Sequence, residues 1–205
     1  MKKQEVLESL KDGLIVSCQA VPEEPHYMEG ITVKFAECAA WAGAKGIRAN
    51  SPEDIRAIKA QVDLPVIGIW KINRNVKDVY LTPNLEAAKA VWEAGAEIIA
   101  VQATHHYRDD GKLAYETIRE IKENIPEALI FADVSTAEDA RIAAKMGADF
   151  VAPTLAGYTK AGAFDKLEIK DAPDYILLRD IVDAVKGTGA RVIMEGKVAT
   201  PEIAV

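Results

Sequence analysis

AAWAGAKGIRAN (Ala39–Asn50), AVWEAGAEIIAVQAT (Ala90–Thr104) and AAKMGADFVAPT (Ala143–Thr154) are three copies of one unit. Each runs from a helix tail through a glycine into a short apolar stretch rich in Val, Ile or Ala. The glycine suits a helix C′ position, which takes φ > 0 and penalises a Cβ. A short apolar stretch between turn signals reads as a strand buried on both faces, as parallel strands are. A second motif follows the strands: Ser51-Pro52-Glu53-Asp54, Ser135-Thr136-Ala137-Glu138-Asp139 and Thr200-Pro201-Glu202. Ser or Thr caps a helix, Pro fits its first position, and acids complement the positive end of its dipole. Strand, capped helix, glycine stop and strand make a βα repeat.

Extended along the chain, the pattern predicts strands near Gly13–Gln19, Gly46–Asn50, Val66–Trp70, Glu97–Ala103, Leu129–Val134, Phe150–Thr154 and Arg191–Glu195, with helices in most of the intervals. The N-terminal MKKQEVLESLKDG reads as a short amphipathic helix. The fold class is therefore α/β with a parallel sheet, in one domain over residues 1–205. The expected architecture is a TIM (β/α)8 barrel with seven strands visible and its last βα unit missing from the sequence. An open doubly wound sheet is the alternative. It is disfavoured because no glycine-rich dinucleotide turn follows an early strand.

Acidic residues outnumber basic ones 32 to 25, for a net charge of −7. That balance argues against a nucleic-acid partner, which needs a basic footprint. With 49% hydrophobic residues, the chain can bury a sizeable core. No run of about 18 apolar residues occurs, so no helical membrane span is expected. The N-terminus lacks the apolar stretch of a secretory signal, and a cytoplasmic location is the expectation. Cys18 and Cys38 have no metal-type spacing, and a disulfide between them is not expected.

In parallel α/β folds the reacting groups stand at the carboxyl ends of the strands. Those ends read Ser17-Cys18-Gln19, Arg48 with Asn50, Lys71, Gln102-Ala103-Thr104 followed by His105 and His106, Asp133-Val134-Ser135, Thr154, and Glu195-Gly196-Lys197. Structural loops need caps and turn residues but not Arg, Lys, Asp and Glu in turn. Arg48 reads either as a structural ion-pair partner or as a ligand for substrate. Asp133 reads either as a ligand or as an acceptor for backbone amides of the next turn. Ser135 reads as a helix cap and Cys18 as a small buried filler. The neighbouring His105 and His106 should diverge, so no metal site is expected there. Lys71 and Glu195 resist a structural reading, since burying either charge is costly without a partner or a function. Arg48, Lys71, Arg74, Lys77, Arg108, Lys160 and Lys197 all follow strands. They would give an acidic body a basic mouth suited to a small anion. Gly196, ahead of a Thr200-capped helix, is where a phosphate site is expected, because amide donors and helix N-termini favour anions.

A resemblance covers nearly the whole chain. GLIVSCQA from Gly13, GAKGIRANSPEDI from Gly43, LPVIGIWK from Leu64, YLTP at Tyr80–Pro83, FADVSTAEDA from Phe131, TLAGYT from Thr154 and EGKVATPE from Glu195 are similar, in order, to motifs of the N-acetylmannosamine-6-phosphate 2-epimerase family. The resemblance implies a TIM barrel. It implies cofactor-independent interconversion of N-acetylmannosamine 6-phosphate and N-acetylglucosamine 6-phosphate, an isomerase step of sialic acid catabolism on a small-molecule sugar phosphate. It implies Lys71 as catalytic base and Glu195 as partner acid/base, with Gln19, Arg48 and Asp133 holding the sugar and its N-acetyl group. Thr154, Gly196 and Lys197 complete the implied substrate-binding set, and the set contains no metal ligand. The chain departs from the family at Gln102, where Asp is usual, and at Tyr107-Arg108-Asp109-Asp110-Gly111, where Arg-Pro precedes the loop glycine. It departs again at Lys197, where Arg is usual, which loses a bidentate phosphate contact. The loop from Gly157 to Asp174 is somewhat long, and the family's last strand and helix are absent from the sequence.

The implied chemistry is proton abstraction beside a masked aldehyde, after ring opening assisted by Glu195. A lysine base must be neutral near pH 7, so its pKa should fall from about 10.4 towards 7–8 through burial and nearby cations. Arg48 is the candidate cation. Two other readings compete: a Schiff-base lyase of the aldolase type, built on the same strand-borne lysine, and a non-catalytic phosphosugar-binding barrel. Seven strands cannot close the usual eight-stranded barrel. The gene product is therefore expected to run on by roughly 20 to 30 residues, enough for a helix, a strand and a last helix. A homodimer that supplies the unit by swapping is the alternative. Intact mass spectrometry checks this: 22.3 kDa with full activity and monomeric sedimentation would refute both arrangements.

Overall fold

A computed structural model describes residues 3–72, 79–158 and 172–204. One parallel sheet contains β1 (Ile15–Ser17), β2 (Gly46–Asn50), β3 (Val66–Ile69), β4 (Ile98–Gln102), β5 (Leu129–Asp133), β6 (Phe150–Ala152) and β7 (Arg191–Val192). Between and around them lie α1 (Lys3–Ser9), α2 (Ile31–Trp41), α3 (Pro52–Lys59), α4 (Leu85–Glu93), α5 (Glu116–Asn124), α6 (Ala137–Lys145), α7 (Tyr175–Ala184) and α8 (Pro201–Ala204). The strand order in the sheet is the chain order, β1 through β7. A doubly wound sheet would reverse direction at a switch point. Sequential order has none, and it is the order of a TIM barrel. Among the described residues β1 pairs only with β2, and β7 only with β6.

All seven expected strands form, several of them shortened at the ends. The ladder of β1 ends at Ser17 and that of β7 at Val192, short of the expected Gln19 and Glu195. The residues with chemical groups thus stand just beyond the ladders, where the backbone turns away. The repeated glycines behave as expected: Gly43, Gly95 and Gly147 follow their helices with φ of 91°, 104° and 103°. Ser51 caps α3 by accepting the Asp54 amide. At α6 the cap is Thr136, not the expected Ser135. Thr136 and Asp139 form a reciprocal capping box. The hydroxyl of Ser135 instead donates to Asp139 at 2.9 Å.

The side chains sort by the period of two that strands impose. Ile67, Ile69, Ile98, Ala100, Leu129, Phe131, Phe150 and Ala152 form an inner cluster. Their sequence neighbours Val66, Ile99, Val101, Ile130, Ala132 and Val151 pack with the helices in an outer cluster. Val6 and Leu10, from the expected amphipathic helix, join the inner cluster. Arg191 ties that helix to the start of β7 by donating to the Leu7 carbonyl at 2.5 Å and to Glu8 at 3.1 Å.

Gly68 lets α3 and α4 approach β3. A Cβ there would lie 2.6 Å from Val91 Cγ1 and 2.8 Å from both Ala96 Cβ and Ile55 Cδ1. Gly68→Ala is therefore expected to destabilise the fold by about 1–3 kcal/mol, the usual cost of overpacking. Urea unfolding measures it, and an unchanged midpoint would show that the helices shift away freely.

Candidate active site

Continuing each strand's inward alternation past the inner cluster reaches Gln19, Arg48, Lys71, Gln102, Asp133, Thr154 and Glu195. Gln19, Arg48, Lys71, Asp133, Thr154 and Glu195 are each linked to another member of the set. Asp133 is fully buried, and Arg48 is 4% exposed. The Arg48 Nη2 donates to both Asp133 oxygens, at 2.9 and 2.8 Å, and Nη1 donates to Glu195 Oε2 at 3.0 Å. Beneath the guanidinium lies the Phe131 ring, with 4.9 Å from Cζ to its centroid. Burial pulls the Arg48 pKa down; the charges of Asp133 and Glu195 outweigh it and raise the pKa.

Lys71 leaves β3 under tight control. The Trp70 amide donates to Thr82 Oγ1 at 3.1 Å, and the Lys71 amide donates to Asn50 Oδ1 at 2.9 Å. Lys71 then pairs antiparallel with Leu81, which brings the YLTP motif back beside the strand. Thr82, at φ 45°, and Ser51, at φ 76°, are left-handed non-glycine residues flanking this arrangement. Such conformations cost of order 1–3 kcal/mol each and persist only where surrounding contacts dictate them. The Lys71 amine donates to Gln19 Oε1 at 2.6 Å, and the Gln19 amide donates onward to Ser17 Oγ at 2.8 Å.

The Glu195 carboxyl is raised above the ordinary carboxylate range. Burial is the main cause and the Asp133 charge adds to it, against the opposing pull of Arg48, Thr154 and Lys71. Thr154 lies close enough to influence Glu195, yet its buried Oγ1 makes no hydrogen bond of ordinary geometry. Gly196 and Lys197, at φ 94° and 60°, turn the chain sharply just after Glu195.

Several expectations fail. Arg108 does not belong to a basic mouth. It is 7% exposed, donates to Thr117 at 2.9 Å and to Glu120 at 2.8 and 3.1 Å, and also pairs with Asp110. Its cost of burial is met by these two carboxylates. Arg48 is likewise bound to carboxylates rather than standing as an uncommitted cation beside Lys71. His105 and His106 do not diverge; their ring centroids lie 4.5 Å apart. The strand ladder ends at Gln102, so alternation no longer separates them. Cys18 is a buried thiol, its pKa pushed up to about 11 chiefly by burial. Arg74, Lys77, Thr159 and Lys160 lie outside the described residues. Sequence reasoning missed the role of Thr82; its only signal is its place in YLTP, two residues before the capping Asn84. No group of three or more His, Cys, Asp and Glu side chains placed to hold a metal occurs among the described residues. No helix there is long and apolar enough to cross a membrane.

A family model described as "Putative N-acetylmannosamine-6-phosphate epimerase" matches residues 32–205. Relatives named as 2-epimerases for the same compound include one from Caldanaerobacter subterraneus subsp. tengcongensis, 41% identical over 99% of this chain and 82% of its own length. Another, from Staphylococcus carnosus, is 43% identical over 95% of this chain and 84% of its own. Among solved structures, the N-acetylmannosamine-6-phosphate 2-epimerase from Clostridium perfringens superposes with a TM-score of 0.84 at 35% identity, covering 96% of this chain and 81% of that one. Deoxyribose phosphate aldolase from Aeropyrum pernix, at 15% identity and a TM-score of 0.66, shares the fold.

Removing one partner of a buried ion pair costs about 3–5 kcal/mol, whereas replacing both by apolar groups is often neutral. Arg48→Met should therefore cost that much in urea unfolding, and adding Asp133→Leu should recover most of it. Equal destabilisation of the single and double variants would show that no orphaned charge is involved.

Proposed function

Because this chain belongs to the N-acetylmannosamine-6-phosphate epimerase family, we propose that it interconverts N-acetylmannosamine 6-phosphate and N-acetylglucosamine 6-phosphate by removing and returning the proton on C2. The observation that carries this reading is the entry of Lys71 and Glu195 into one site from strands far apart in the sheet. Inversion at a carbon needs a proton removed on one face and delivered on the other. Two groups reaching the substrate from different walls suit that demand.

In the proposed reaction the sugar ring opens first. Glu195 assists, because a carboxyl with a raised pKa can hold a proton closer to neutrality and give it up there. Opening unmasks the C1 aldehyde and makes the C2 proton acidic. Neutral Lys71 takes that proton on its nitrogen lone pair, while one of its N–H bonds stays with the Gln19 carbonyl. The C–H electron pair moves into a C1–C2 double bond, and the aldehyde oxygen gains the negative charge. Arg48 is placed to stabilise charge developing near Glu195. Glu195, protonated, delivers a proton to the opposite face of C2, which restores the aldehyde with inverted configuration, and Lys71 and Glu195 then return to their starting states by exchanging a proton with solvent. Gln19, Arg48 and Asp133 would hold the sugar, with Thr154 beside Glu195, and the Gly196–Lys197 turn would meet the phosphate. The anionic substrate cannot readily cross an apolar membrane, which supports a cytoplasmic place of action.

In D₂O the protein should incorporate deuterium at C2 of N-acetylmannosamine 6-phosphate, with EDTA present. Activity lost in chelator and restored by a divalent ion would refute the side-chain-only scheme. Lys71→Met should lower exchange by at least about 10²-fold while leaving the fold intact, since a general base contributes that much or more. A variant retaining a tenth of the activity would place the base elsewhere. Glu195→Gln should slow turnover most with ring-closed substrate. A borohydride-stable substrate adduct on Lys71 would instead assign aldolase-type chemistry.

A further inference from the structure

Beside Glu195 a cleft is lined by Thr154, Asp174, Glu195, Gly196 and Lys197, together with apolar side chains such as Leu178. Asp174 is 8% exposed. Its Oδ1 caps α7 by accepting the Leu177 amide at 2.8 Å. Its Oδ2 is buried and has no hydrogen-bond partner among the described residues. The buried Thr154 Oγ1, on the same wall, has only its approach to Glu195. The cap uses one carboxylate oxygen only. Leaving a buried acceptor unpaired costs about 1–3 kcal/mol, and buried polar groups in folded proteins are nearly always bonded. An unpaired carboxylate oxygen in a cleft next to the reacting groups points to a ligand that supplies the donor.

We propose that Asp174 and Thr154 form a hydroxyl-binding subsite for the polyol chain of an open-chain sugar phosphate. The inference rests on the epimerase reading for the identity of that substrate. A carboxylate oxygen accepts and cannot donate, so the ligand group must carry hydrogen. Phosphate is a poor partner for Asp174 Oδ2 itself, because the two carry like charge. A cation is disfavoured by Lys197 on the wall. Uncharged hydroxyls remain, and the substrate has them at the right place. With C2 between Lys71 and Glu195 and the phosphate at the Gly196–Lys197 turn, the carbons between them pass this cleft with their hydroxyls. The apolar lining suits the C–H edges of the same chain. Asp174 would then select for an extended, hydroxylated carbon chain of the correct length between the reacting carbon and the phosphate.

The test uses 2-acetamido-2-deoxyglucitol 6-phosphate, an open-chain analogue that cannot react, with inorganic phosphate as control. Both are titrated calorimetrically into the protein and its variants. Asp174→Asn keeps the capping oxygen and the volume, and Asp174→Ser keeps a cap but lacks any second oxygen. Hydrogen bonds to charged groups are worth about 1.5–3 kcal/mol, so each variant should bind the alditol phosphate roughly 10-fold to 150-fold more weakly. Thr154→Val should weaken it a few-fold, and affinity for inorganic phosphate should stay unchanged. If one Asp174 variant does not fold, the other carries the measurement. Unchanged alditol affinity in a folded Asp174 variant overturns the proposal, as does an equal loss for inorganic phosphate or failure of the wild type to bind the alditol. Alditol binding that depends on Asp174 in a protein without C2 exchange would refute the epimerase reading and leave the subsite standing.

Discussion

The carboxylate of Asp133 has no contact with water, and the site is organised around that fact. An ionised carboxylate cannot remain in such a place without a partner. Arg48 is that partner, bonding both oxygens and then reaching Glu195 with its other amine. One guanidinium thereby joins β2, β5 and the chain just beyond β7. Its planar fork allows this, where a lysine could offer only a point charge. Phe131 supports it from the inner cluster, so packing of the sheet interior sets the height of the charged layer above it. With one cation between two carboxylates, the arrangement resists full ionisation. Burial of Glu195 is the main cause of its raised pKa and the Asp133 charge adds to it, and a carboxyl that keeps its proton more readily is suited to donate one.

Lys71 is positioned by a different device. Where the parallel ladder of β3 ends, two side chains hold its last amides, Thr82 Oγ1 for Trp70 and Asn50 Oδ1 for Lys71, beside the antiparallel bridge to Leu81. The left-handed conformations at Thr82 and Ser51 are tolerated because these bonds and the neighbouring caps determine them together. The amine is then directed by Gln19, itself held by Ser17 from β1. A lysine on a flexible four-carbon stem would otherwise sample many rotamers, as the base in the proposed reaction could not.

The sequence made much of this legible because one rule served twice. Ile67, Ile69 and Lys71 share a face by period-two alternation, as do Leu129, Phe131 and Asp133. The same reading that finds the inner core finds the residues above it. What alternation cannot give is pairing. Arg48 meets Asp133 and Glu195 across 85 and 147 residues of chain, and no local pattern encodes that. Arg108 reads from sequence as a mouth cation because it follows a strand. Its commitment to Glu120 appears only once α5 packs beside the loop. Thr136 against Ser135 is a matter of one residue, within the range over which helix starts are ambiguous. The unpaired oxygen of Asp174 is hidden in another way. An Asp ahead of a helix reads as a cap, and it is one, but the cap accounts for only half of its carboxylate.

The committed arginines bear on how such a chain would handle an anion. At a net charge of −7 the chain as a whole repels a phosphate. Arg48 and Arg108 do not change this, because each is neutralised by two carboxylates. Recognition must then act at contact distance, through groups whose geometry is fixed before the ligand arrives. The turn after Glu195 has that character. Gly196 tolerates its left-handed backbone freely, while Lys197 adopts one at a steric cost of about 1–2 kcal/mol. A lysine held in that conformation is held by its surroundings, and its backbone leaves Glu195 in a defined direction. The separation of Glu195 from the turn proposed to meet the phosphate is therefore set by covalent geometry within three consecutive residues. In the proposed binding mode the ligand spans that distance with its own carbon chain, which would make chain length rather than charge the first thing the site measures.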